Sequence, residues 1–205
     1  MTSRSTAVLL LFLAACGGGH AGGAAAPRSS VDLPPPTPAG EACGAEVEDS
    51  PPGNHDRYAF EDPNGTYGYK DGKGNVVIPP QYATGYEFGA GGIAAAVIAP
   101  TGDGVAPRLG FIDHDGRWLA DAFVFDNGPD YFQEGLARIV DATGKVGFIA
   151  RDGTIVIAPT FAGADSFCHG VAAVHDATST WDIDRTGAAV GDKRPYTPEP
   201  DPCAD

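Results

Sequence analysis

The sequence predicts an all-β protein: antiparallel three-stranded repeat units stacked in a curved array, solenoid-like or partial-propeller-like, with a disordered N-terminal tether and C-terminal tail. Three observations predict it. A motif of aromatic or aliphatic residue, Gly, aromatic, then a Gly turn recurs along the middle of the chain. The apolar runs there are short, rich in Val, Ile, Phe and Tyr, and bounded by Gly, Asp, Asn and Pro, as strands are. The 29 glycines are so frequent that no window between Tyr58 and Val190 sustains a helical period for three turns.

From the N-terminus, the apolar run Ala7 to Ala15 is too short to cross a bilayer as a helix and has the length of a signal-peptide core, so residues 1–15 are expected to be removed. The run ends in Leu13-Ala14-Ala15-Cys16-Gly17, which resembles the lipobox of bacterial lipoproteins. That resemblance implies a diacylated Cys16 as the mature N-terminus, a membrane partner through the lipid, and a cell-envelope location on the periplasmic or surface face. Residues 16–54 follow, Gly/Ala-rich and then Pro-rich without apolar periodicity, and read as the lipidated Cys and its flexible tether. The repeat-bearing β domain is expected over 55–191, and the Pro-rich stretch 192–205 as a tail poor in ladder donors.

Within the domain the first element appears as Tyr67-Gly-Tyr-Lys-Asp-Gly-Lys-Gly74, Leu109-Gly-Phe-Ile-Asp-His-Asp-Gly116 and Val146-Gly-Phe-Ile-Ala-Arg-Asp-Gly153. A degraded fourth copy is Thr180-Trp-Asp-Ile-Asp-Arg-Thr-Gly187. Gly74, Gly116, Gly153 and Gly187 supply the positive backbone angles of short hairpins, so the first two strands of each unit should pair antiparallel. The second strand is Val76 to Tyr82 in the first unit and Ile155 to Phe161 in the third, while the middle unit substitutes Trp118 to Phe123. Each unit closes with an aromatic, a Gly and an apolar strand: Phe88 to Val97, Phe132 to Val140, and Phe167 to His175. One face of the closing strands, Ala94/Ala96, Ala137/Ile139 and Ala172/Val174, is apolar throughout; the other admits Arg138 and His175 and is expected nearer solvent.

This pattern resembles the WG (Trp-Gly) repeat family of bacterial proteins over about Thr66 to Val190. Tyr67, Leu109 and Val146 stand where the family has Trp, and the fourth copy has lost its Gly. The resemblance implies a repeat-built binding or structural role more than any defined reaction.

The acidic balance bounds the partners. With Arg4 removed, 12 basic residues face 27 acidic ones, a net charge of −15; such a surface repels phosphate backbones, and nucleic acid is not an expected partner. Export permits disulfides, and Cys43 and Cys203, in the two flanks, are the expected pair, with Cys168 a semi-buried thiol. Cys168 and His169, as neighbours on an extended segment, should point to opposite faces and form no nucleophile–base pair. Serines lie outside any Gly-x-Ser-x-Gly elbow.

His20, His55, His114, His169 and His175 make no zinc-type spacing, so neither metal nor other cofactor is expected; only a centre assembled from residues far apart escapes a spacing argument. Asp113-His114-Asp115-Gly116 lacks the further ligands of a calcium loop and reads as a turn. Asp126, Asp130, Glu134 and Asp141 offer carboxylates to a glycosidase, but read as a solvated rim. No catalytic residue is assigned. Trp118 and Trp181 break the repeat pattern, and are the first candidates for partner contact. The function expected is a non-catalytic, envelope-anchored binding or scaffold module with an unknown protein or polysaccharide partner. Its competitor is a hydrolase or carbohydrate-binding protein acting on cell-wall or surface polymer.

Overall fold

The structure is a computed structural model that describes residues 31–44, 56–100, 102, 106–125 and 128–198. The expected signal segment, Cys16, His20, His55, Asp126 and Cys203 lie outside the described residues. Those described form strands, turns and extended chain, with no helix among them.

β1 (Tyr58–Glu61) precedes the first repeat, which supplies β2 (Tyr67–Lys70), β3 (Val76–Tyr82), β4 (Thr84–Gly85) and β5 (Ile93–Ile98). The second supplies β6 (Arg108–Asp113), β7 (Trp118–Ala122), β8 (Val124–Phe125), β9 (Gly128–Pro129) and β10 (Leu136–Val140). The third supplies β11 (Val146–Ala150), β12 (Ile155–Phe161), β13 (Gly163–Ala164) and β14 (Val171–His175), and the degraded fourth β15 (Ser179–Asp184) and β16 (Ala189–Pro195).

The expected hairpins form, β2 with β3, β6 with β7, β11 with β12 and β15 with β16, all antiparallel. The closing strand of each repeat, however, pairs forward with the opening strand of the next: β5 with β6, β10 with β11, β14 with β15. Sequence repeat and structural sheet are therefore out of phase. Short turns explain this for β10 and β14, since residues 141–145 and 176–178 lead directly into the next strand and make it the nearest partner.

Among the described residues four hairpin-based layers result, the second and third joined in one seven-stranded sheet, with β1 standing in for a closing strand in the first. Three core clusters lie between them. Ala94, Ala96 and Ile112 pack with Tyr69, Ile78 and Phe88; Ile93, Ala95 and Phe111 with Ala137, Ile139 and Ile149; Leu136, Phe148 and Ile157 with Phe167, Val174 and Ile183. Alternate residues of β5 and of β10 thus serve two different cores, as the twofold period of a strand requires. This corrects the expectation that the second face of the closing strands lies nearer solvent: in β5 and β10 it holds Ile93, Ala95 and Leu136, all buried. Only β14, with Val171 exposed, behaves as expected. The second and third layers are also bridged at one edge by β7 pairing with β10.

Two local devices recur. In Asp-x-x-Gly-x turns the Asp carboxylate accepts the backbone N–H groups two and four residues on: Asp71 from Lys73 and Asn75, Asp113 from Asp115 and Arg117, Asp141 from Thr143 and Lys145, Asp184 from Thr186 and Ala188. Side-chain hydrogen bonds from Asn75, Thr143 and Thr186, together with these backbone bonds, hold the carboxyls of Asp71, Asp141 and Asp184 below the usual carboxylate range. The second device is the Gly that opens each repeat. A Cβ on Gly68, Gly110 or Gly147 would stand 2.6, 2.3 or 2.5 Å from the carbonyl oxygen of Ile78, Ala120 or Ile157. The adjacent strand bulges beside Gly68 and Gly147, the Trp118 ring adds to the crowding at Gly110, and only Gly fits these positions.

Both flanks are more involved in the fold than expected. Residues 31–44, read as tether, run as an extended strap over the closing turns of repeats two and three, with Val31 and Leu33 packed on the last core. Pro34 lies against Gly135 and Pro36 against Gly170. Residues 192–195, read as tail, continue β16, and Tyr196 stacks on His175 at 3.9 Å.

Candidate functional site

The feature that distinguishes the middle repeat is the segment between its second strand and Phe132, longer than its counterparts 83–87 and 162–166 and carrying the small β8–β9 pair. Residues 128–132 of this segment stand across from the Ile93/Ala95 face of β5 and enclose a cleft of about 320 Å³ between the first and second repeats. Its walls are mainly apolar, with Ile93, Ala95, Phe111 and Phe132 inside and Tyr86 and Tyr131 at 41% and 49% exposure. Val124 and Phe125, exposed beside Tyr131, extend the apolar surface, with the Phe125 and Tyr131 rings 6.3 Å apart. Such a concave, largely preformed apolar surface is the usual character of a binding site.

Two buried polar anchors fix its rim. Asp130, 4% exposed, accepts Nε–H and Nη2–H of Arg138, both at 2.8 Å, and the Arg138 backbone N–H at 2.9 Å. Arg138 also donates through Nη1 to the Ala164 carbonyl and lies 4.3 Å over the Phe123 ring. The pair ties the aromatic wall to β10. On the opposite rim the Tyr69 hydroxyl donates to the Tyr86 carbonyl at 2.9 Å. Burial, with Tyr82 and Glu87 adding repulsion, pushes the Tyr69 phenol above its ordinary range.

A second hollow, about 610 Å³, is lined in part by Arg138, Asp165, His175 and Tyr196. It is more polar and reaches Pro198, the last described residue. The cleft beside Tyr86 and Tyr131 is therefore the candidate site.

The residues singled out in sequence fall elsewhere. Trp118 is half-buried against the first core, lies flat over Gly110, and donates Nε1–H to Asp121 at 2.8 Å, with Arg108 5.1 Å over its ring. Trp181 packs edge-on to Phe161 at 5.8 Å, and the Lys193 ammonium sits 3.7 Å above it. Neither lines the cleft. Three of the four carboxylates considered for glycoside chemistry are engaged: Asp130 with Arg138, Asp141 in its turn, and Glu134, 5% exposed, with the N–H groups of Thr37 and Gly170. Asp130 and Glu134 are buried and do not belong to a solvated rim.

The expected Cys43–Cys203 pairing is corrected: the disulfide joins Cys43 to Cys168, with Cα atoms 5.6 Å apart, and Cys168 is no free thiol. The reason is the strap, which brings Cys43 to the closing turn of the third repeat. That turn also overturns the argument that Cys168 and His169 must diverge. They are not in an extended segment, because His169 has φ +54 and Gly170 φ +81, a tight turn that Cys168 and Val171 close by mutual hydrogen bonds. Sγ of Cys43, Sγ of Cys168 and a nitrogen of His169 all lie within 4.8 Å of one another.

The class defined by this geometry is a stack of β-repeat layers with an apolar cleft at one repeat junction. The repeats are of a known kind: residues 67–98, 110–141 and 147–174 match the family described as WG containing repeat. These three segments are WG-type repeats, and their opening glycines Gly68, Gly110 and Gly147 stand where the neighbouring strand leaves no room for a Cβ. No curated protein matches the chain.

Proposed function

We propose that the protein is a non-catalytic binding module of the cell envelope, anchored by a lipid on Cys16, that takes an apolar side chain of a protein partner into the cleft between its first two repeats. The observation that carries this reading is the apolar cleft whose aromatic rim residues Tyr86 and Tyr131 are half-exposed. A surface of this kind gains by desolvation, at roughly 25 cal/mol for each Å² of apolar area covered. Glu87 in the lining and the acidic surface favour a partner with basic residues around its apolar anchor.

The exposed Phe125–Tyr131 ring pair is the observation in favour of the second reading, a polysaccharide partner whose sugar rings stack there. One experiment separates the two. The lipid-free Cys16→Ser chain is immobilised and offered solubilised envelope proteins and, separately, purified envelope polysaccharide. Retention of protein that falls with Tyr86→Ala and Tyr131→Ala, but not with the equally exposed Val76→Ala, supports the proposal. Retention of polysaccharide alone replaces the partner class, and turnover of that polymer replaces the non-catalytic reading. The anchor has its own test: labelled fatty acid should enter the wild-type chain and not the Cys16→Ser variant.

A further inference from the structure

We propose that, once the Cys43–Cys168 disulfide is reduced, Cys43 Sγ, Cys168 Sγ and His169 Nε2 form a binding site for one thiophilic cation of the Zn²⁺ class. The site lies at the end of the strap, and none of its residues lines the cleft. Cys43 and Cys168 are half-buried and His169 is exposed, so a cation has access from solvent.

The geometry of His169 carries the inference. Its Nδ1 lies 3.0 Å from the Thr37 carbonyl oxygen, an acceptor only, so the ring proton resides on Nδ1. The Nε2 lone pair then faces sulfur, 3.7 Å from Cys43 Sγ. A disulfide has no proton to offer that lone pair; a cation between the three atoms satisfies it. A carbonyl that fixes the tautomer and aims the other nitrogen is the usual outer support of a metal-bound histidine. The spacing also fits. With Zn–S near 2.3 Å and Zn–N near 2.0 Å in a tetrahedron, sulfur and nitrogen stand roughly 3.5 Å apart and the two sulfurs roughly 3.8 Å apart. Parting the sulfurs that far needs little of the backbone, because Cys43 sits next to Gly44, where nothing crowds the chain.

The closing turn of the second repeat shows what the position is for. Glu134, with φ +52, occupies the place of His169 and binds the strap at Thr37 N–H at 2.8 Å. Both turns use the residue before their Gly to grip the strap, and the third does so with ligands suited to soft metals. The same staple then holds in either redox state, through a sulfur–sulfur bond or through a metal bridge, and the two exclude each other. The fourth coordination position is left to water.

The test uses the full chain carrying Cys16→Ser and Cys203→Ser, so that the only thiols are the two in question. A phosphine reduces the disulfide: two electrons pass from phosphorus to the S–S bond, the sulfurs take two protons from water, and phosphorus keeps the oxygen. Added Zn²⁺ displaces the thiol protons. One Zn²⁺ per chain should bind to the reduced form and none to the oxidised form, and Co²⁺ in its place should give thiolate-to-cobalt charge-transfer absorption. Cys43→Ser should abolish the tight site, and His169→Gln should weaken it by about tenfold or more. Protease should cut the strap in the reduced chain and be held off when Zn²⁺ is added. No uptake by the reduced chain, uptake that survives Cys43→Ser, or uptake indifferent to His169→Gln overturns the proposal. So does uptake accompanied by loss of the β-sheet circular dichroism.

Discussion

Replacing Asp130 by Ala leaves the Arg138 guanidinium in a site where its side chain is 11% exposed, with its charge partner gone. Two charge-assisted hydrogen bonds and one to the Arg138 backbone N–H are lost, all at 2.8–2.9 Å. The bond to the Ala164 carbonyl and the faces of Phe123 and Phe125 remain, but none supplies negative charge. Stranding one member of a buried pair costs about 3–5 kcal/mol, far more than the pair contributes against an apolar replacement. With a urea slope of roughly 2 kcal/mol per M, the midpoint should fall by about 2 M. Arg138→Met in the Asp130→Ala background should recover a substantial part of that loss, because the stranded charge is removed. Equilibrium urea denaturation of the four members of the cycle measures both. A loss below about 1 kcal/mol for Asp130→Ala would place the pair with solvent-screened surface bridges and refute the claim that it anchors the cleft wall.

Gly147→Ala puts a Cβ 2.5 Å from the Ile157 carbonyl oxygen and should lower thermal stability markedly, whereas Gly44→Ala, with nothing within 4 Å, should leave the melting point nearly unchanged. Glu134→Ala removes the acceptor of Thr37 and Gly170 N–H and should cost about 2–4 kcal/mol, with limited proteolysis shifting to the strap. Acid should weaken the fold in a defined direction. Asp62, Asp71, Asp141 and Asp184 are held below their usual value by turn hydrogen bonds, and Asp176 is held at about 2 by the N–H groups of Thr178 and Ser179. Their folded values lie below the unfolded ones, so the stability they add is present above about pH 4 and is lost as pH falls toward about 2. Melting points that rise over that interval would contradict the turn assignment.

The hairpins were legible in the sequence because their chemistry is local. Gly74, Gly116, Gly153 and Gly187 all have the positive φ expected of them, and the Asp three residues before three of the four caps its turn. Which strand neighbours which was not legible from the repeat alone, since a repeat can be cut at any phase and remain a repeat. Alternation marked Ala94 and Ala137 as buried but could not say that the other face of the same strands meets a second layer. Arg138 looked solvent-facing because its partner Asp130 sits in the one segment that departs from the repeat. The strap was hidden for a different reason: Leu33-Pro-Pro-Pro-Thr-Pro38 has no periodicity whether or not it is docked, and its anchors, Glu134 and Cys168, are about a hundred or more residues away. Trp118 and Trp181 stood out as irregular, yet irregularity in a repeat marked internal packing on Gly110 and Phe161.

The central claim, that the cleft at the first repeat junction is where a protein partner docks, is tested most directly by site-specific photocrosslinking in the native envelope. A benzophenone side chain is placed in turn at Tyr86 and Tyr131 on the rim, and at Val76 and Ile155, both exposed and outside the cleft lining. The account expects one discrete protein adduct from the two rim positions and none from the other two. Adducts of equal yield from all four positions, or none from Tyr86 and Tyr131, would contradict it.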